Sequence, residues 1–114
     1  MGKPIPAEIV VGPFVYTVST DEIDVLRARD KRQTNLNGCC STEELEIVVD
    51  GAKAAGYVRE VVLHESLHAL MSTAGLYDEL GSDVEEKVVN RLSPLLLDLL
   101  RRNPMLVVYL RDGC

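Results

Sequence analysis

A chain of 114 residues is one domain with a single core, too short to build separate substrate lobes. Its 46% hydrophobic and 26% charged residues are ordinary for a globular protein, and a formal net charge of −6 argues against nucleic acid as a partner. No apolar run approaches the ~18 residues that span a bilayer. Met1-Gly2-Lys3-Pro4-Ile5-Pro6 lacks the apolar stretch of a signal peptide, and Gly2 lacks the rest of a myristoylation pattern, so no membrane association and a cytoplasmic location are expected.

Residues 1–50 read as the β-rich part. Two runs, 8–11 and 14–18, alternate or cluster β-branched residues on either side of Gly12-Pro13. Residues 21–31 are charged and fit either a loop or a brief helix. Residues 36–41 and 45–49 form a plausible hairpin across Thr42-Glu43-Glu44. Cys39 and Cys40 would point to opposite faces of such a strand, one inward and one outward. With Cys114 they make an odd number, a poor disulfide framework, and no C-x-x-C spacing offers a thiolate zinc site.

After the linker 50–56, residues 57–75 read as one helix ending at Gly75. Val61, Val62, Leu63, Leu67, Leu70, Met71 and Ala74 make it apolar over most of its girth, which predicts a buried helix. Residues 77–81 are a short polar connector. Helical spacing then returns over 83–111, with Ser82 or Asp83 as the first cap. Pro94 is expected to kink this run or start a new helix, and Asn103 to cap a last short helix through Leu110. The class is α+β: three or four short strands in an antiparallel or mixed sheet, an active-site helix, and two or three further helices.

The chemistry is written in His64-Glu65-Ser66-Leu67-His68, which holds both histidines of the chain. Residues four apart on a helix are offset by about 40° and roughly 6 Å, so the two imidazoles project side by side toward one metal ion. Glu65 lies about 60° around the axis from His68, within reach of an attacking water as its general base. A catalytic zinc needs a third protein ligand, and no histidine remains. The longer H-E-x-x-H-x-x-G-x-x-H pattern is excluded by Met71 and Ala74. The third donor is therefore sought in the next helix. Glu85 shares a face with Val88, Val89 and Leu92 and is narrowly preferred; Glu86 is the alternative, with Asn90 one turn on as a partner for a ligand histidine. Asp78 and Glu79 in the connector are weaker candidates.

His64-Glu65-x-x-His68 followed by Glu85 or Glu86 on the next helix resembles a gluzincin. From Val61 to Leu110 the chain is similar to small zincin-like proteins of actinobacterial phages, distantly related to ImmA/IrrE-type peptidases. The resemblance implies a zinc peptidase fold with a short sheet ahead of the active helix and a peptide or protein substrate. It also implies that the strand just before that helix, 45–49, is an edge to which the substrate backbone adds. Larger gluzincins stabilise the oxyanion from a C-terminal domain that this chain does not have room for; Tyr77 or Tyr109 could substitute.

The expected function is zinc-dependent peptide hydrolysis, with Zn2+ held by His64, His68 and Glu85 (or Glu86) and Glu65 as base. The alternative is a zincin-like peptide-binding module, weak or inactive in catalysis, with a structural metal. A third reading is a structural protein whose helix happens to spell the motif. A thiol of Cys39, Cys40 or Cys114 that occupies the zinc in a latent state has no support from spacing. Oligomeric state and substrate side chains are left open by the sequence.

Overall fold

The computed structural model describes residues 3–32 and 37–112; the start of the expected strand at Leu36, and also Gly2 and Cys114, lie outside the described residues. The chain runs β1 (Glu8–Val11), β2 (Phe14–Ser19), α1 (Glu22–Arg32), β3 (Gly38–Ser41), β4 (Glu46–Val49), α2 (Ala55–Thr73), α3 (Leu76–Leu80), α4 (Ser82–Arg102) and α5 (Pro104–Arg111). The fold is α+β, with a mixed four-stranded sheet in the order β1-β2-β4-β3.

The sheet is two hairpins joined in parallel. Val11 pairs with Phe14, so β1 and β2 turn through Gly12-Pro13 alone, and Gly12 takes the positive φ (57°) that such a turn needs. β3 and β4 pair antiparallel with Cys40 opposite Ile47, across a turn that ends at Leu45 with φ 53°. β2 and β4 run parallel, which demands a crossover, and α1 supplies part of it. Asp21 opens α1 by accepting the Ile23 amide at 2.8 Å, so the undecided charged segment is a helix.

This order overturns one expectation. Residues 45–49 do not form an edge: β4 lies between β2 and β3, and the edge beside the active helix is β3. β4 is buried on both faces, which is why Ile47, Val48 and Val49 form an uninterrupted apolar run. Ile47 and Val49 join Val11, Tyr16, Val58 and Ala69 in the core between sheet and α2. Val48 turns the other way, toward Val25 and Ala28 of α1. The cysteines follow the same alternation, yet neither is outward: Cys40 packs on the main core, Cys39 lies on the α1 side, and both are half-buried.

α2 is less enclosed than its apolar girth predicts. Only Val58, Glu65 and Ala69 are fully buried, while Leu70 is half exposed. It ends as expected: the Ala74 and Gly75 amides bond back to Leu70 and Ser72, and Gly75 adopts φ 77°. The connector coils into the single turn α3. α4 begins at Ser82 itself, behind Gly81, and continues through Pro94 as one helix to Arg102. The proline thus neither ends α4 nor starts a new helix. Asn103 stands at the N-cap of α5 as expected, its carbonyl accepting the Leu106 and Val107 amides, but its side-chain amide turns back and donates to the Leu99 carbonyl at 2.8 Å, closing the end of α4. Among the described residues no helix is long and apolar enough to cross a membrane.

Candidate metal centre

α2 and α4 pack side by side, and the sheet edge β3 closes a third side of an open cleft of about 740 Å3. That is well within the range of ligand sites. His64, Glu65 and His68 line it from α2, Glu85, Glu86 and Asn90 from α4, and Gly38 to Cys40 from β3. The helical spacing read from the sequence does bring the two imidazoles together, with ring centroids 4.9 Å apart and planes crossed at 67°.

Their Nε2 atoms are 3.2 Å apart and share one carboxylate. Glu86 Oε1 lies 3.2 Å from His64 Nε2, and Glu86 Oε2 lies 2.9 Å from His68 Nε2. Glu85 is instead behind the ring. It is buried, and its Oε1 stands 2.6 Å from His68 Nδ1, a short contact typical of an imidazole N–H donating to a carboxylate. The sequence prefers Glu85 narrowly over Glu86 as third ligand; in the structure the carboxylate beside both Nε2 atoms is that of Glu86. The cause is the rotation of α4. Sharing a face with Val89 sends Glu85 into the core, and the next residue, about 100° round, reaches the cleft.

His64, His68 and Glu86 can hold a metal ion. Tetrahedral zinc with bonds of about 2.0–2.1 Å sets its ligand atoms roughly 3.3 Å apart; the two Nε2 atoms stand 3.2 Å apart, and Glu86 brings a different oxygen to each of them. Burial, and next the neighbouring His68, hold His64 below its ordinary pKa, while Glu86 and Glu60 pull the other way. His64 therefore offers a neutral imidazole at neutral pH. Glu85 Oε2 is buried without a hydrogen-bond partner among the described residues, so the carboxylate is committed to His68 through its other oxygen.

Glu65 is 7% exposed and lines the same cleft. Gly38 makes that approach possible, since a Cβ there would meet Val61 Cγ1 at 2.5 Å and Glu65 Cγ at 3.3 Å. Sequence reasoning missed Gly38, although a glycine opening a β-rich run is a signal of close backbone approach. It also missed Glu60, one turn before His64, which lines the cleft with Tyr57. The Tyr57 hydroxyl accepts a bond from the Asn37 amide at 2.7 Å. Of the two tyrosines weighed for the oxyanion, Tyr77 lines the cleft, while Tyr109 lies on α5 and is 77% exposed. Asp78 and Glu79 stay outside the cleft.

No protein-family model, curated protein or solved structure matches this chain.

Proposed function

We propose that the protein is a zinc-dependent peptidase whose metal would be held by His64, His68 and Glu86. The observation that carries this reading is the convergence of both Nε2 atoms on one carboxylate, with Glu65 on the same helix facing the same cleft. A zinc ion bound there would supply Lewis acidity to the scissile carbonyl and to the attacking water. Glu65 accepts the proton of that water and passes it to the departing amine, a role that its place beside His64 on the wall of the cleft allows. Glu85 keeps the proton of His68 on Nδ1 and its Nε2 lone pair turned to the cleft. Tyr77, which lines the cleft, would donate to the developing oxyanion. An extended substrate adds to the free edge of β3 rather than to β4, its backbone held by main-chain hydrogen bonds.

The test is zinc content and peptide hydrolysis measured together on the wild type, Glu65→Gln and His64→Ala. The expected pattern is one zinc and turnover in the wild type, one zinc and a rate lower by about 10²- to 10⁴-fold in Glu65→Gln, and neither in His64→Ala. Full hydrolysis by Glu65→Gln would reject the assigned base. Stoichiometric zinc with no hydrolysis by the wild type, on a broad peptide library, assigns the site to peptide binding with a structural metal.

A further inference from the structure

The buried side chains of α4 are Glu85, Val89 and Ser93, and α5 has none. From residue 94 onward none of the described residues is completely buried, yet the segment is rich in large apolar side chains. Leu92, Leu95 and Leu99 are 52%, 67% and 46% exposed, and Met105, Tyr109 and Leu110 are 75%, 77% and 65% exposed. Single exposed leucines are ordinary; an ordered row of them is not.

On α4 the row has a period. Val88, Leu92, Leu95 and Leu99 fall on alternate d and a positions of a heptad, in an arc of about 60° that lies roughly 90° round the helix from Glu85, Val89 and Ser93. Such a seam fits a second helix.

Charge selects the occupant. The positions flanking the seam on its solvent side are Arg91 and Asp98, both exposed. Arg91 has no ion-pair partner among the described residues, and Asp98 has only a 3.6 Å contact with Arg102 on the surface of its own helix. In a parallel pair Arg91 would face the apolar Leu96 of the partner and Asp98 the uncharged Asn103, so neither would meet an opposite charge. In an antiparallel pair centred on Leu95, Arg91 of each helix faces Asp98 of the other, and Leu92 faces Leu99. The seam is thus complementary to itself with its direction reversed. A net charge of −6 disfavours an anionic lipid surface as the alternative occupant.

We infer that this face docks a second copy of the chain, α4 packing antiparallel against α4 about a two-fold axis near Leu95, with α5 at the flank. Ser82, Glu86 and Asn90, which line the cleft, lie on the far side of α4, so pairing leaves the cleft open. The inference does not depend on the peptidase reading.

Sedimentation equilibrium of the full chain tests it. At about 100 µM, above the micromolar dissociation constant of a modest interface, the wild type should sediment at twice its 12.6 kDa mass. Leu95→Glu, at a site too exposed to endanger the fold, should weaken pairing by at least about thirtyfold with an unchanged circular dichroism spectrum. Arg91→Asp and Asp98→Arg should each weaken it about tenfold by setting like charges face to face. An equimolar mixture of these two variants should recover a dimer, because only the mixed pair restores opposite charges at both ends. A monomeric wild type, a dimer indifferent to Leu95→Glu, or a mixture no more associated than its components overturns the inference. So does a monomer that floats with phosphatidylcholine or phosphatidylglycerol vesicles, which gives the face to lipid.

Discussion

Glu85 stands 2.6 Å from Nδ1 of His68 while its sequence neighbour Glu86 stands 2.9 Å from Nε2 of the same ring. Two adjacent carboxylates thus hold opposite edges of one imidazole, and they should respond differently to mutation. Glu86→Ala removes a proposed ligand and should abolish stoichiometric zinc. Glu85→Ala removes the partner that orients the ring and should weaken zinc by about 10- to 100-fold while leaving a site that fills at high metal. Competition titration against a zinc chelator checks both; equal loss in the two variants would remove the distinction.

Charge should choose the substrate. Glu60, Glu65, Glu85 and Glu86 line the cleft, and no Lys or Arg does among the described residues. A divalent ion offsets only part of that. Peptides with Lys or Arg near the scissile bond should be cleaved with higher kcat/KM than the same peptides carrying Glu, by about tenfold at low ionic strength, and the preference should shrink as salt is raised. Glu60→Gln should narrow it through KM, because Glu60 lies outside the set that handles metal and proton. Selection unchanged by salt and by Glu60→Gln would place specificity elsewhere.

The motif was legible because it is local: His64, Glu65 and His68 lie within five residues, and helical spacing alone fixes their relative directions. The choice between Glu85 and Glu86 depends on how α4 is rotated against α2, a tertiary quantity that the apolar positions around it constrain only loosely. Strand order is non-local in the same sense. The hairpin of β3 and β4 can be read from turn residues, but only the parallel pairing of Thr17, Val18 and Ser19 with Glu46, Ile47 and Val48 makes β4 interior and leaves β3 as the edge. The apolar run of β4, buried on both faces, was the available sign. Pro94 is tolerated because it lies on the exposed side of α4, where the carbonyl freed one turn earlier can bond to water.

The linker into α2 should carry a pH signature. Asp50 accepts the Ala52 amide at 3.1 Å and the Arg29 guanidinium at 2.9 Å, and these two bonds, the first above all, hold its carboxyl below the ordinary value of 3.8. Its own amide donates to Asn37 at the mouth of the cleft. Because the folded carboxyl is the stronger acid, its contribution to stability is complete at neutral pH and is lost as pH falls below about 4 through the folded value. Asp50→Asn should therefore melt at a lower temperature than the wild type at pH 7, and the two melting curves should converge toward pH 3. A difference in Tm that persists undiminished at pH 3 would show that the charge is not what Asp50 contributes.

Gly38 sets how near the edge strand β3 comes to α2. A methyl group there would lie 2.5 Å from Val61 Cγ1, 3.2 Å from the Val48 carbonyl oxygen and 3.3 Å from Glu65 Cγ. Val61 cannot swing aside cheaply, since a β-branched side chain in a helix has one strongly preferred rotamer. The strand must move instead, and Glu65 moves relative to it. Gly38→Ala should destabilise the fold by about 1–3 kcal/mol and lower kcat, with zinc affinity nearly unchanged because His64, His68 and Glu86 do not touch the added methyl. Trimming the obstacle in the double variant Gly38→Ala/Val61→Ala should recover part of the stability lost, as measured by urea unfolding. If the double variant is less stable than the wild type by the full sum of the two single losses, the two residues are not coupled and Gly38 is not what brings β3 to the site.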